Sequence, residues 1–225
     1  MPGGQTTARS RSGRKGLSRA RTDEEKKKVR DAFIESGRTL FATMKFEDVS
    51  LRKIAELAGY TPSTVYQYFR DQRSLLAAIR EQDMSDALRQ FQDIASRSSD
   101  PAERVRNLFM GAAEYWIDNF QHYQTLFEQP IEKPPVLTSE GVVFGKSTFA
   151  SRSQKLYEDT VRDYLEAVGA TSVAPKFAAD CLIAVTHGML AFPIHTRTMD
   201  WSPTSAMILE TIDSLLEHWA MSAKK

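Results

Sequence analysis

From Asp23 onward, apolar side chains recur at three- and four-residue intervals, the spacing of an amphipathic helix. Val29, Phe33, Ser36 or Gly37, and Leu40 line one face of a helix running to about Phe41, with Asp23, Glu24 and Glu25 in its first turn, where the helix dipole favours acids. Ser50 is placed to cap a second helix whose inner face is Ile54, Leu57 and Ala58, and Gly59 ends it. Thr61 and Pro62 restart a helix that carries Val65, Tyr66 and Phe69. A longer helix begins near Asp71 and Ser74 and carries Leu76, Ile79, Leu88, Phe91 and Ala95. Asp100-Pro101-Ala102-Glu103 then opens a helix through Leu108, Phe109, Ala112 and Trp116 that extends toward Phe127. The Pro- and Gly-bearing stretch 129–146 reads as a loop, and three further helices are expected over roughly 147–168, 175–198 and 203–222. Pro193 should kink or end the second of these. No segment alternates as a strand does, so the expected fold is all-α with about nine helices.

The chain has 225 residues, 41% of them hydrophobic and 26% charged, enough to bury a core. Cys181 is the single cysteine, which excludes an internal disulfide and reads as a small buried hydrophobe in a reducing compartment. The apolar run Cys181–Ile194 is interrupted by Thr186, His187 and Gly188 and is shorter than the ~20 residues a membrane span needs. With no secretory pattern at the polar, Arg-rich start, the expectation is a cytoplasmic protein with no membrane partner. Charge is unevenly placed. Residues 1–80 hold 17 Lys and Arg against 9 Asp and Glu, and residues 81–225 hold 13 against 20. A basic first third suits a polyanion; the acidic remainder would repel one. Residues 1–21 carry six Arg and Lys and no acid, a composition too polar to fold alone. Two roles stay open for this arm: a solvated tail, or a segment that neutralises phosphates.

Residues 50–69 combine two short helices, a Gly59 reversal, and the small residues Ala55 and Ala58 for close packing. Val65 and Phe69 face inward, four apart, which leaves Ser63, Thr64, Gln67 and Tyr68 on other faces for base edges or phosphates. This is the pattern of a helix-turn-helix. Ser50, Ile54-Ala55, Ala58-Gly59, Thr64, Tyr66, Phe69 and Leu75-Leu76 resemble the DNA-binding domain of the TetR regulators over residues 23–80. The resemblance implies that Ser50 caps the second helix and touches a phosphate, and that Arg52 points into the DNA surface, at a guanine or a phosphate. It also implies that Thr61, Pro62, Ser63 and Thr64 form the leading end of the recognition helix, that Gln67 reads a base, and that Tyr66 and Tyr68 reach phosphates. Where the family usually has a lysine shortly after the phenylalanine this chain has Gln72, so Arg70 or Arg73 is expected to take over that phosphate contact.

The resemblance divides the chain into the arm, a DNA-binding domain over 22–73, and a helical effector-binding and dimerisation domain over 74–225. Thr186-His187-Gly188 occupies the place of a Trp-His-Gly motif found in one subgroup, without its tryptophan. Phe109, Trp116, Tyr123, Tyr157 and His187 are candidate lining of a pocket for a small hydrophobic or amphipathic effector, and an aromatic stripe at helical spacing equally suits plain core. Leu182, Val185 and Met189 on one late helix, with Ile208, Ile212, Leu215 and Trp219 on the last, are candidates for a four-helix homodimer interface; the alternative is burial within one subunit. No catalytic motif is present, and His122, His187, His195 and His218 have no metal-site spacing, so neither catalytic residues nor a metal or other cofactor is expected.

The expected function is sequence-specific transcriptional regulation: a dimeric, ligand-responsive repressor on a palindromic double-stranded operator. The helix of about 74–97 would carry the effector's signal from pocket to head. Two other classes remain: an enzyme or partner-protein sensor built on the C-terminal body, and a non-specific nucleoid-associated DNA binder.

Overall fold

The structure is a computed structural model that describes residues 22–128 and 135–223. The Arg-rich arm lies outside the described residues. Nine α-helices follow one another among the described residues: α1 (Asp23–Thr43), α2 (Leu51–Leu57), α3 (Pro62–Val65), α4 (Gln72–Ala95), α5 (Pro101–Asp118), α6 (Phe120–Tyr123), α7 (Thr148–Val168), α8 (Pro175–His195) and α9 (Thr204–Ser222). A π-helical turn, Gln124–Glu128, continues α6, and the only bridge pairing among the described residues is the isolated one between Leu137 and Val143.

Local chemistry sets the helix ends. Thr22 and Glu25 form a capping box at the start of α1, and Asp71 and Ser74 form one at the start of α4. Asp100 caps α5 ahead of Pro101, and Ser147 caps α7. Pro193 sits in the last turn of α8, which ends at His195. Its missing N–H falls where the helix closes, so the outcome is termination rather than a mid-helix kink.

Two hydrophobic cores form. The first joins α1, α2 and α3 to the start of α4, with Phe33, Ile34, Phe41, Ile54 and Val65 at its centre. Gly37 lets α1 lie against α4: a Cβ there would stand 2.3 Å from Leu75 Cδ2. The second core joins the rest of α4 to α5, α7, α8 and α9 through Phe91, Leu108, Phe109, Val161 and Leu182. The division falls inside α4. Leu75, Leu76 and Ile79 belong to the first core, and Ala87, Phe91 and Ala95 to the second. One rigid helix is thereby shared by head and body.

Two elements differ from expectation. Regular α-helix in α3 stops at Val65, and the chain tightens into i→i+3 bonds, Gln67 N–H to Thr64 O (3.1 Å) and Tyr68 N–H to Val65 O (3.0 Å). In the stretch read as a loop, residues 135–146 lie against both head and body. Val136 is buried in the head's core, Ser139 N–H donates to Glu81 on α4, and Phe144–Lys146 form a 3-10 turn.

Candidate DNA-reading head and effector cavity

The turn between α2 and α3 is fixed by backbone. Gly59 adopts φ 75°, and the N–H groups of Gly59 and Tyr60 reach back to the carbonyls of Glu56 (3.1 Å) and Ala55 (2.8 Å), which closes α2 in a Schellman motif. Ser50 Oγ accepts the Lys53 N–H at 3.3 Å, so the cap expected there is made. The α2–α3 unit stands on a floor of fully buried Ile54, Ala55 and Val65.

What faces outward is mostly polar, although Leu57, expected on the inner face of α2, is 53% exposed. Thr61 stands at the N-cap position of α3 but caps nothing; its hydroxyl instead pairs with Ser63 Oγ and Thr64 Oγ1, each at 2.9 Å. The leading end of α3 is therefore a cluster of three hydroxyls beside Pro62, with both donors and acceptors to exchange. Arg52, Gln67 and Tyr66 are exposed, Tyr66 at 60%. The two tyrosines separate by role. Tyr66 is a surface group, whereas half-buried Tyr68 packs its ring 5.7 Å from Phe33 and serves the core as well. Arg73, expected at a phosphate, lies over the Phe46 ring at 5.4 Å, and Gln72 Nε2 donates to Phe46 O at 3.4 Å. Arg70 stays exposed, with Nε 3.2 Å from Asp71.

In the body, α4, α5, α7 and α8 line an open-mouthed cavity of about 400 Å³. Trp116, Tyr157 and His187 line it, together with Met84, Phe91, Phe127 and Phe144. Phe109 does not reach it; fully buried, it packs behind Tyr157 with ring centroids 4.9 Å apart. Tyr123 acts one layer out: its hydroxyl lies 3.3 Å from His187 Nδ1. Burial holds the His187 imidazole down at about 4 and pushes the Tyr123 phenol up to about 12, so both are neutral near pH 7.

The dimer candidates part company. Leu182, Ile208, Ile212 and Trp219 are interior to the subunit, and Val185, Met189 and Leu215 are half-buried. Four of the seven candidates thus serve the subunit's own core, while Val185, Met189 and Leu215 keep part of their surface exposed. The apolar side chains that do face out are Phe177 (63%) and Phe192 (56%) on α8, and Leu209 and Met221 on α9. Between the two phenylalanines, Ala184 and Gly188 are also exposed.

Two charged residues that sequence reasoning passed over join head to body. Arg38 on α1 and Asp83 on α4 are both buried and paired, and His122 on α6 stands with Nδ1 3.8 Å from Asp83. The signal was available. Asp83 falls on the helical stripe of Leu76, Ile79 and Ala87, and Arg38 on that of Ile34 and Phe41, so each is a charge in a core register. No cluster of three His, Cys, Asp or Glu that could hold a metal occurs among the described residues.

A glycine-turned helix pair with a polar outer edge, carried on a long helix that also walls an apolar cavity, defines a helix-turn-helix regulator. Residues 33–79 match the family model described as bacterial regulatory proteins, tetR family. Solved structures share the fold. The fatty acid degradation regulator FadR from Bacillus halodurans is 12% identical with a TM-score of 0.68, over 83% of this chain and 94% of that one. The TetR family transcriptional regulator PfmR from Thermus thermophilus is 17% identical with a TM-score of 0.66, over 82% and 97%. NalD, the secondary repressor of the MexAB-OprM multidrug efflux pump in Pseudomonas aeruginosa, is 19% identical with a TM-score of 0.63, over 88% and 97%. No curated protein matches the chain. The protein is a DNA-binding transcriptional regulator that carries the TetR family's N-terminal domain at residues 33–79.

Proposed function

We propose that the protein is a homodimeric repressor that binds a palindromic operator and is released by a small apolar effector held in the body cavity. The observation that carries the reading is continuity between cavity and head. Met84 lines the cavity and is next to Asp83, the partner of Arg38 on α1. Tyr123 touches His187 of the cavity wall and is next to His122, which faces Asp83. An effector that displaces α4 or α6 therefore acts on the ion pair that seats the head. It shifts DNA binding to the extent that it favours one seating over the other.

The reading head comprises residues 22–73 with the first turns of α4, and the remaining helices hold the effector and the dimer contact. In a two-fold dimer the exposed face of α8 around Phe177, Gly188 and Phe192 pairs with its copy, with Leu209 and Met221 of α9 alongside. Among the described residues α8 is also the one helix long and apolar enough to cross a membrane. Its packing against α5, α7 and α9 and the family's DNA-bound role favour a subunit contact in the cytoplasm. The heads then enter successive major grooves about 34–36 Å apart, or a multiple of that. We assign no catalytic role, metal or other cofactor.

Selection of duplexes from a random pool by the purified protein tests this. A palindrome should be enriched, and Thr64→Ala with Gln67→Ala should abolish the enrichment. Binding without enrichment would leave a non-specific nucleoid binder.

A further inference from the structure

The polar groups of the cavity specify what it can hold. Its wall contains no Lys or Arg among the described residues. The one charged residue there, Asp180, has a side chain 46% exposed and paired with Lys176 Nζ at 2.5 Å. A carboxylate or phosphate entering would lose its hydration and meet no cation, and a cationic ligand would find the single carboxylate already engaged.

The group that faces inward is His187. Its Nδ1 is 3.3 Å from the Tyr123 hydroxyl, its ring stacks on Tyr123 with centroids 5.6 Å apart, and Phe127 abuts it edge-on at 4.9 Å. A phenol is a stronger donor than an imidazole N–H, and the imidazole lone pair is a stronger acceptor than a phenol oxygen. The bond therefore runs from Tyr123 O–H to His187 Nδ1, which fixes the proton of the neutral ring on Nε2. The hydrogen bond of the ring to another described residue is made at Nδ1, which leaves Nε2 for a ligand or water. A largely apolar chamber floored by Phe91, Trp116 and Tyr157, with Ser153 and Gln154 also on its wall, thus presents a directed N–H donor from His187.

Resting on the effector-cavity reading above, we propose that the effector is an uncharged, largely apolar molecule whose carbonyl oxygen (a ketone, ester or lactone) accepts the Nε2–H of His187, and that carboxylates are rejected.

Isothermal titration of the full chain at pH 7.5 with four probes of one skeleton tests this: naphthalene, 2-acetylnaphthalene, 2-naphthoate and a naphthylmethyl trimethylammonium. The ketone should bind about fivefold tighter than naphthalene, and naphthoate at least about tenfold weaker than the ketone. In His187→Phe the ketone's advantage should vanish while naphthalene still binds, which also reports that the cavity is intact. An advantage that survives His187→Phe overturns the donor assignment. Naphthoate or ammonium binding as tight as the ketone, and abolished by the cavity-filling Ala150→Phe, leaves the effector cavity standing and overturns the polarity. Binding of no probe, or binding indifferent to Ala150→Phe, overturns the effector cavity and this inference together.

Discussion

Arg38 of α1 and Asp83 of α4 form a buried ion pair across the junction of head and body, with Arg38 Nε 3.1 Å and Nη2 2.5 Å from Asp83 Oδ1. Asp83 is fully buried and Arg38 nearly so. Glu35 takes the remaining side of the guanidinium, and His122 of α6 approaches Asp83 from the body. Burial pushes the Asp83 carboxyl upward and lowers the His122 imidazole, against the pull of their charged neighbours. A pair so placed contributes little net stability compared with an apolar contact, but its geometry is demanding. That makes it suited to register one head position against the body.

Removing one partner should be far worse than removing both. Asp83→Ala leaves the buried Arg38 guanidinium with only the exposed Glu35 as a partner and should cost about 3 kcal/mol in urea unfolding. The double variant Arg38→Met with Asp83→Leu should recover most of that loss. If it instead adds to the loss, the pair contributes net stability and the registering role is wrong. Operator affinity in the double variant should respond less to effector than in the parent protein.

Acid should weaken the fold through His187. In the unfolded chain its imidazole takes up a proton near pH 6.5, and in the folded protein only near pH 4. Protonation therefore favours the unfolded state. The contribution is intact above pH 6.5 and is lost as pH falls from there toward 4, by about 3 kcal/mol at the limit. Asp83, whose carboxyl is raised, acts with the opposite sign, so the comparison must be with His187→Phe, in which Asp83 is unchanged. Unfolding free energies of the two proteins should diverge across this window and run parallel above it.

The helices were legible in the chain because caps and apolar spacing are local. Ser50, Asp71 and Asp100 each cap where a short polar residue precedes an apolar series. The reading edge of α3 was legible because Val65 and Phe69 fix which side is inward. Partners in space were not. Arg73 stacks on Phe46 and Gln72 bonds its carbonyl, contacts 27 and 26 residues apart that no local pattern encodes. In α8, apolar residues occur nearly all round, so periodicity could not choose between Leu182 inward and Phe192 outward. The loop residue Val136 reaches the head's core from a stretch with no periodicity at all.

Assembly should respond to the outward face and not to the inward one. Phe192→Glu, alone or with Phe177→Glu, places charge on the proposed dimer contact and should yield monomer in sedimentation equilibrium with the fold retained. Leu182→Ala or Ile208→Ala should instead cost about 2–5 kcal/mol of stability through cavities in the subunit core. A dimer that persists in the double glutamate variant would move the contact elsewhere.

Contacts to DNA should sort by whether they carry sequence. Gln67 is exposed beside the hydroxyl cluster of Thr61, Ser63 and Thr64, and its amide can pair with adenine in two hydrogen bonds. Gln67→Ala should lose about 1–3 kcal/mol on the selected operator and relax preference at a single base pair in each half-site. Arg52→Ala should weaken all duplexes alike and lower the salt slope by about 1 per head, as expected for one released counterion. Tyr66→Phe should behave like a mild version of Arg52→Ala, since its ring is at the surface. Tyr68→Ala should mainly destabilise the head, since its ring packs on Phe33. Fluorescence anisotropy at several salt concentrations, on the operator and on a scrambled duplex, separates these outcomes. If Gln67→Ala loses affinity equally on both duplexes, the amide touches backbone, and the base reading must come from the hydroxyls of α3.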